Sequence, residues 1–481
     1  MAILFQPYFF FWIYAFFSAA CIGLAFAVDF LPLLALPLVF PIVWLGINNF
    51  RVLYFLLLAS LPLSYEVNFS DTLATDLPSE PLLIGLMLIT FLFLLTNPGV
   101  LPSSISLNPV ALLVLLHTVW FLVASIHSVN IVVSLKIFLA KVWYVAVFVY
   151  LTAIVIRNEN SFRTAFWCIF LSLLVASLAI FVRHGFTAFE FETINQCVGP
   201  FFTNHVNYAL MLMAFYPFLW HASSWYDKRT WQKSLLNFSK LFFAVAIFFS
   251  YTRAAMVALF LFVPFYFILR WRLIKYIIPV ILILAVAGVA YMADNNRYLK
   301  HAPDYNETIW HDEFDEHISA TFEGKDVSSM ERLYRWIAAG RMIAENPWWG
   351  VGPGNFYPTY KKYAVTSFET WVSDNQERSS LHNYFLTLWV EQGVAGLLIF
   401  LGLLIATFLV AEKTYFKLLK ERSKTAGLVM ATSQSLMSIC FSLLLNDMVE
   451  TIKLGSLFWI NISLIVIVST GLLSYSNSKQ A

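Results

Sequence analysis

Residues 331–363 read ERLYRWIAAGRMIAENPWWGVGPGNFYPTYKKY, and residues 381–396 read LHNYFLTLWVEQGVAG after a polar interval. Most of the rest of the chain consists of long apolar runs suited to a lipid bilayer. Here the chain instead carries arginines, a Gly-Pro-Gly turn and a His-Asn pair before a new apolar run. This contrast predicts a functional loop outside the membrane, anchored in a bundle of membrane-spanning helices.

The composition restricts the class of protein. The chain has 481 residues, of which 60% are hydrophobic and 12% are charged. Soluble domains carry about 25% charged residues, so an ordinary soluble domain is excluded. The 47 Phe and 16 Trp residues are typical of a membrane protein with aromatic belts at the bilayer surface. A net charge of +2, with no basic patch interleaved with aromatic residues, argues against a nucleic-acid partner.

Apolar runs long enough to cross a bilayer, which requires about 20 residues, recur along the chain. They predict an all-α polytopic membrane protein with about 12 to 14 transmembrane helices. The short runs around 31–64 and 236–270 could also be merged or re-entrant. The first run has no positively charged segment before it, so we interpret it as a retained span and not as a signal peptide. The runs are 8–28, 31–48, 50–64, 81–97, 108–127, 131–156, 162–183, 206–222, 236–250, 253–270, 274–294, 383–411, 426–446 and 455–474.

Lysine and arginine are concentrated in alternate short loops, which predicts that these loops are cytoplasmic. With an odd number of spans before residue 295, both termini are then cytoplasmic and the long polar segment is periplasmic. The predicted organisation is a first membrane part (1–294), a periplasmic loop domain (295–382) and the last spans (383–481). Within the loop domain, the apolar spacing predicts a helix from Ser328 to Glu345, ended by Asn346-Pro347 and the glycine turn.

Several predicted outward span ends carry polar groups suited to chemistry on an anionic substrate. His382 has the pKa range of a general base for a hydroxyl nucleophile, although an ordinary interfacial histidine is the alternative. Arginines bind diphosphate with paired, charge-assisted hydrogen bonds. Each cation also has a plainer interpretation, namely a solvated helix face or a side chain that reaches the lipid headgroups. The candidate residues are Asn207, Arg253, Arg332, Arg335, His382 and Asn383, with Lys136 and Lys141 in the outer half of the sixth span.

Two further groups of side chains were considered. His311-Asp312-Glu313 with Asp315-Glu316-His317 offers metal-binding residue types, but the spacing matches no ligand motif and an exposed acidic loop explains it equally well. We therefore predict no metal and no cofactor. Asp447 and Glu450, between the last two spans, could line the site or cap a helix. No nucleotide-binding or zinc-protease motif is present.

At these residues the chain resembles the O-antigen ligase family, which shares this region with O-antigen polymerases and bacterial protein O-oligosaccharyltransferases. The resemblance covers roughly Gly199 to Gly396. Its motifs are read here as Gly199, Phe201 and Asn207; Thr252-Arg253; Arg332 and Trp336; Asn346-Pro347; Gly350 to Gly354; and His382, Asn383, Gly393 and Gly396.

The resemblance implies a GT-C-like membrane glycosyltransferase with one large periplasmic loop domain, in the bacterial inner membrane. Its donor would be a glycan on undecaprenyl diphosphate. His382 would deprotonate the acceptor hydroxyl, and Arg253 and Arg332 would bind the diphosphate as it leaves, with inversion and without a metal. A third arginine before Gly199 is not evident, because Arg183 is distant.

The acceptor is not specified by these residues. Transfer to lipid A core, as in O-antigen ligation, is the first expectation. Extension of a growing glycan by a polymerase and modification of protein Ser or Thr are the alternatives. A polysaccharide transporter is a more distant alternative, because no repeated halves are detectable and many transporters are built from repeats.

Overall fold

The computed structural model describes residues 7–28, 33, 36–70, 73–301, 327–365 and 380–473. The acidic segment from His311 to His317 lies outside the described residues. Almost all of the described chain is helical, and its two strands form one short antiparallel hairpin in which Tyr65 pairs with Leu77. The helices confirm the predicted all-α polytopic membrane protein.

The elements of the first half are α1 (Pro7–Ala27), α2 (Leu36–Ser60), β1 (Tyr65–Ser70), β2 (Leu73–Leu77), α3 (Ser79–Thr96), α4 (Ser103–Ser106), α5 (Pro109–Ile126), α6 (Ile131–Tyr144), α7 (Thr152–Val155), α8 (Glu159–Phe186) and α9 (Ile194–Val198). A π-helical segment, Val145–Leu151, joins α6 and α7 into one continuous rod.

The second half contains α10 (His205–Ala222), α11 (Trp231–Phe248), α12 (Arg253–Arg270), α13 (Ile274–Ala293), α14 (Val327–Glu345), α15 (Phe356–Tyr360), α16 (Tyr384–Lys420), α17 (Thr425–Ser442) and α18 (Ile452–Ser469). Short 3-10 turns lie at Phe191–Thr193, Ser223–Trp225, Asp294–His301, Lys361–Tyr363 and Met448–Glu450.

Nine helices of the described ranges are long and apolar enough to cross a membrane: α2, α3, α5, the α6–α7 rod, α8, α12, α13, α16 and α18. Helices α10, α11 and α17 have 18 residues each and pack among them. Helix α18 lies at the centre of the bundle, since other parts of the protein bury 94% of this apolar segment. The core is therefore organised around this last helix.

Runs 31–48 and 50–64, for which merging was one of the expectations, contribute a single candidate span, Phe40–Ser60. The two runs form one helix, α2, which bends at Asn49 (φ −154°, ψ 73°) and contains Arg51 within its length. The polar Asn-Asn-Phe-Arg segment therefore lies at a kink within this span and not in a separate loop. This removes one span before residue 295, so span parity no longer supports the placement of the amino terminus.

The helix ends form two opposite faces of the bundle. We define the loop face by residues 199–205, 250–253, 380–384 and 443–453, and the basic face by residues 97–108, 156–163, 223–231, 270–275 and 420–425. On the loop face, Lys453 donates to the Ser64 carbonyl at 2.8 Å. On the basic face, Asn108 donates to Ser469 at 3.1 Å. Apart from Arg51, which lies within α2, the cations predicted to be cytoplasmic lie at the basic face, opposite the loop.

The described part of the loop domain has its own small core. Helix α14 confirms the predicted helix at 328–345. Its buried side chains Tyr334, Ala338 and Met342 pack against the chain around the glycine turn and against α16. Trp336 also donates its indole N–H to the Leu381 carbonyl at 2.9 Å. The loop helix is thereby attached to the segment that carries His382.

Candidate functional site

Asn383 lies where the loop domain joins the membrane bundle. Its side-chain oxygen caps α16 by accepting from the Leu386 N–H at 3.1 Å, and its amide donates to the Leu444 carbonyl at 3.1 Å. The next residue, Tyr384, donates its backbone N–H to the Leu443 carbonyl at 2.9 Å. Asn383 is a typical helix-capping residue, and this role is what its side chain performs here.

His382 lies directly before this cap, in an unusual backbone conformation. Its φ is 51°, in the left-handed region that residues other than glycine seldom occupy. Its backbone N–H donates to Ser380 Oγ at 3.3 Å, and the Ser380 hydroxyl donates to Asp447 at 2.9 Å. Such sparsely populated conformations persist only where the surrounding structure holds them, and they are concentrated at functional sites.

The imidazole of His382 is kept neutral by its surroundings. Burial lowers the pKa of His382 to about 4, and the nearby positive charges of Arg332 and Arg335 lower the pKa in the same direction. Asp447, on the other side of Ser380, has its pKa raised by burial. At pH 7 the histidine therefore offers a lone pair that can accept a proton.

The two loop arginines differ in what they contact. Arg335 and Glu331 form a buried ion pair at 2.9 Å, in which 7% and 8% of the side chains are exposed. Arg335 also donates to the Ser380 carbonyl at 3.4 Å, which ties α14 to the His382 segment. Arg332 is half-buried one turn earlier on the same helix, and its charge acts on His382. The geometry gives Arg335 a structural partner already; its substrate role stays a prediction.

Arg253 begins α12 on the loop face. The preceding Thr252 donates its hydroxyl to the His205 carbonyl at 3.4 Å, which joins the starts of α12 and α10. Deeper in the bundle, Gln434 of α17 donates to the Phe262 carbonyl of α12 at 3.0 Å. The two helices are antiparallel, so nine residues from this contact toward the loop face lead to Arg253 on α12 and to Leu443 after α17. The Leu443 carbonyl accepts from the Tyr384 N–H. Arg253 and His382 therefore lie at the same depth of one face.

The two lysines of α6 lie in different surroundings. Lys136 is exposed, near the outer end of the helix. The Lys141 side chain is fully buried and forms an ion pair with Glu450 at 2.6 Å. The same Glu450 oxygen accepts from the Tyr384 hydroxyl at 2.5 Å. Lys141 is thus connected through Glu450 to Tyr384 at the start of α16. The sequence pattern did not predict this acidic partner.

Asn207 lies in the first turn of α10, also at the loop face. Its backbone N–H is capped by Asn204 at 2.9 Å, and its side-chain amide donates to the Thr203 hydroxyl at 2.6 Å. It lines a cavity that Glu450 also lines. Of the predicted residues, the structure brings His382, Asn383, Arg332 and Arg335 together, and places Arg253, Asn207 and the lysines around them on the same side.

The glycine turn docks the loop domain onto the membrane bundle. Val351 and Gly352 donate their N–H groups to the Val390 and Glu391 carbonyls, both at 2.9 Å. On its other side, the Val351 carbonyl accepts from the Val129 N–H of the α5–α6 turn at 3.0 Å. We call this backbone pairing of residues 347–352 with 390–394 and residue 129 the clasp.

Helix α16 is interrupted where the clasp meets it. Gly393 has φ 68° and ψ −177°, a conformation accessible essentially only to glycine. The break lets the Val394 N–H donate to the Pro347 carbonyl at 2.9 Å. A Cβ atom on Gly393 would lie 1.9 Å from the Trp348 carbonyl oxygen. The glycines of the motif therefore serve close backbone approach and do not form a substrate loop.

Tyr384 was not identified by sequence reasoning as part of the site. Tyrosine in an apolar run is ordinarily a core residue, and its partner Glu450 lies 66 residues away. The position next to the His-Asn pair was the available signal.

In the described ranges, no group of three or more His, Cys, Asp or Glu side chains has the geometry to hold a metal ion.

Residues 238–401 match the family model described as O-antigen ligase. No curated protein matches the chain significantly. The matched region runs from α11 to the middle of α16, and so includes Arg253, Arg332, the glycine turn and His382. This family comprises membrane glycosyltransferases of the ligase and polymerase type. Residues 238–401 therefore match the O-antigen ligase family, as the motifs of the sequence predicted.

Proposed function

We propose that this protein transfers a glycan from undecaprenyl diphosphate to an acceptor hydroxyl at the periplasmic face of the inner membrane. Ligation of O-antigen to lipid A core is the first expectation. The observation that carries the proposal is a neutral histidine, His382, held beside Arg332 within the O-antigen ligase region. That arrangement joins a proton acceptor to an anion ligand, which are the two groups the reaction requires.

In the proposed reaction, an imidazole nitrogen of His382 takes the proton of the acceptor hydroxyl. The acceptor oxygen forms a bond to the anomeric carbon from the face opposite the diphosphate. The bond from that carbon to the diphosphate oxygen breaks, and its electron pair leaves with the diphosphate. Arg253 and Arg332 neutralise the charge on the leaving group. The reaction inverts the anomeric centre and needs no metal or protein acid.

The pKa of His382 fits a base that becomes stronger when the donor binds. A general base works best when its pKa lies near the working pH, and a pKa of about 4 is too low for that. The two arginines that lower the pKa of His382 lie in a buried site, where their charges are also suited to bind a dianion. A bound diphosphate would offset the arginine charges and raise the pKa of His382 toward neutrality.

An apolar cavity of about 350 Å³ supports a lipid-linked donor. It lies between α12, α13, α16 and α17, and its lining is almost entirely aliphatic and aromatic. Phe385 and Leu444, which line it, adjoin the Asn383 cap at the loop face. A polyprenyl chain in this cavity would present its diphosphate at the membrane surface, beside His382.

The orientation rests on charge. Basic residues collect on the face opposite the loop domain, and such an excess marks the cytoplasmic side. We therefore propose a periplasmic active site and a cytoplasmic carboxyl terminus. The polymerase, the protein oligosaccharyltransferase and, more distantly, the transporter remain the alternative functions.

The proposed function is tested with the purified protein in vesicles containing a lipid-diphosphate glycan. We expect release of undecaprenyl diphosphate to require an acceptor with a free hydroxyl. Mass spectrometry of glycans from a deletion strain then separates the acceptors. Loss from lipopolysaccharide supports ligation, accumulation of one unpolymerised repeat supports a polymerase, and loss from glycoproteins supports a protein acceptor. Unchanged glycans together with absent transfer in vesicles would contradict the proposal.

Arg253→Ala should weaken donor binding by roughly ten- to a hundredfold, because one hydrogen bond to a charged group contributes about 1.5–3 kcal/mol. The acceptor KM should change little. Binding of a fluorescent lipid diphosphate to the reconstituted protein measures the effect. Arg229→Ala, an exposed arginine on the basic face, is the matched control. Equal donor affinity in both variants would assign Arg253 a structural role.

The acidic limb of the pH profile should report His382. Protonation removes the base, so kcat/KM should fall as the pH drops through about 4 and not through the ordinary histidine pKa of about 6.5. Arg332→Gln removes one neighbouring positive charge, so it should move this limb to higher pH. Burial is the larger cause of the shift, so the limb should stay below about pH 6.5. A limb that does not move would show that Arg332 does not act on the base.

A further inference from the structure

A second cavity lies at the loop face, separate from the apolar one. It has a volume of about 310 Å³, which is at the lower end of the range for small-ligand pockets. The hairpin of β1 and β2, the start of α3, residues 200–207 and the turn before α18 surround it. These are segments of the chain before and after the O-antigen ligase match, so the family region does not account for the cavity.

Carboxylates dominate the polar lining of this cavity. Glu66 and Asp76 come from the hairpin, Glu80 from α3 and Glu450 from the turn before α18. Glu80 accepts from the Asp76 backbone N–H at 3.3 Å, which holds the hairpin against α3. Burial raises the pKa of Asp76, although the charge of Lys453 opposes the shift. Carboxylates gathered in a partly enclosed space repel one another, so such a space suits a ligand that donates hydrogen bonds.

The cations near the cavity are already engaged by protein groups. Lys453 is 9% exposed and donates to the Ser64 carbonyl at 2.8 Å and to the Phe201 carbonyl. Its ammonium also lies 4.5 Å from the Phe202 ring centre. Lys141 is buried against Glu450. Both ammonium groups are therefore held by protein oxygens, and four of the five charged side chains that line the cavity are carboxylates.

Aromatic rings supply the remaining walls. Tyr144, Phe201 and Phe202 line the cavity beside the carboxylates. Tyr144 donates its hydroxyl to the Glu450 carbonyl at 3.4 Å. Acceptors around the edge with apolar rings on the walls suit a sugar, whose hydroxyls point outward from the ring edge and whose C–H groups form its faces.

The cavity is connected to the candidate site through two side chains. Glu450 lines the cavity, and its carboxylate accepts from the Tyr384 hydroxyl at 2.5 Å. Tyr384 follows the His382-Asn383 pair, so a ligand in the cavity would lie beside the segment that carries the base. Asn207, at the start of α10, faces the same space.

We propose that this cavity binds the terminal sugar of the acceptor, and that it selects a neutral or amino sugar over a phosphorylated one. The carboxylates of Glu66, Asp76, Glu80 and Glu450 accept hydrogen bonds from its hydroxyl or ammonium groups. A phosphate would meet like charges at short range, which disfavours its binding. The inference rests on the proposed glycosyl transfer, because it names the acceptor class for that reaction.

The test measures acceptor binding without donor and without turnover. The probes are a trisaccharide of neutral hexoses, the same trisaccharide with a terminal amino sugar and the same with a terminal 6-phosphate, added to the protein in nanodiscs. We expect the phosphorylated probe to bind at least about tenfold more weakly than the other two. Asp76→Asn and Glu66→Gln should each reduce this discrimination by at least about threefold. Glu421→Gln, which alters an exposed carboxylate on the basic face, should leave it unchanged.

Equal or tighter binding of the phosphorylated probe would overturn the proposal, as would the same effect of Asp76→Asn and Glu421→Gln. Binding of a serine-containing peptide in place of all three sugars would also overturn it, in favour of a protein acceptor. The thermal unfolding temperature of each variant shows whether it is folded. Intact binding discrimination without any transfer contradicts the proposed function alone. Intact transfer without discrimination contradicts only the assignment of this cavity.

Discussion

His382→Ala should lower the rate of glycan transfer by about a hundred- to ten-thousandfold, the usual contribution of a positioned general base. The reason is that the imidazole, kept neutral by burial and by the charges of Arg332 and Arg335, can accept the proton of the hydroxyl. Donor binding should persist, because the diphosphate ligands are arginines. Turnover and donor affinity are measured separately in vesicles that contain the lipid-diphosphate donor.

His382→Asn is the matched variant, because asparagine also tolerates the left-handed backbone at φ 51°. It should lose the same activity as the alanine variant while keeping the wild-type unfolding temperature. Alanine carries a backbone penalty of about 1–2 kcal/mol at this φ, so only that variant should be less stable. An asparagine variant that retains near wild-type turnover would exclude His382 as the base.

Gly393→Ala should destabilise the protein by at least about 3 kcal/mol, among the larger effects of a single substitution. Two costs combine. Alanine is strained at φ 68° and ψ −177°, and its Cβ would overlap the Trp348 carbonyl oxygen at 1.9 Å. Relieving the overlap separates the clasp, so the loop domain should loosen from α16. Thermal unfolding in detergent and the rate of proteolysis within residues 346–365 measure the two effects.

Gly402→Ala is the control on the same helix. Its added Cβ would meet only Leu113, at 4.0 Å, which is ordinary contact distance. Alanine is the better helix former by about 1 kcal/mol, so this variant should be as stable as wild type or slightly more stable. If Gly393→Ala melts at the same temperature as Gly402→Ala, the clasp does not hold the loop domain in place.

Much of the fold could be predicted from local patterns. The apolar runs predicted the membrane helices, and the spacing of Leu333, Trp336 and Met342 predicted the loop helix. The errors lie where a local signal was ambiguous. At Asn48-Asn49 the helical geometry does break, as the polar pair suggested, but both sides of the kink belong to one candidate span, Phe40–Ser60.

The candidate site was predicted in part. His382, Asn383 and Arg332 belong to one long polar segment that stands out against apolar surroundings. The pairing of Lys141 with Glu450 could not be read in this way, because 309 residues separate the partners. The function of the glycines was also hidden. A Gly-Pro-Gly turn predicts a change of direction, but the clasp depends on a break in α16 about forty residues later.

The sequence by itself determined that this chain is a helical membrane protein with a long polar loop. The hydrocarbon core admits only long apolar segments, and these are visible as a local pattern. Only the tertiary structure decided which polar groups neutralise one another and which are gathered at the loop face. Those outcomes depend on distances between segments far apart in the chain. Lys141 and Arg335 are therefore held by carboxylates, while His382 stays neutral between the loop helix and the start of α16.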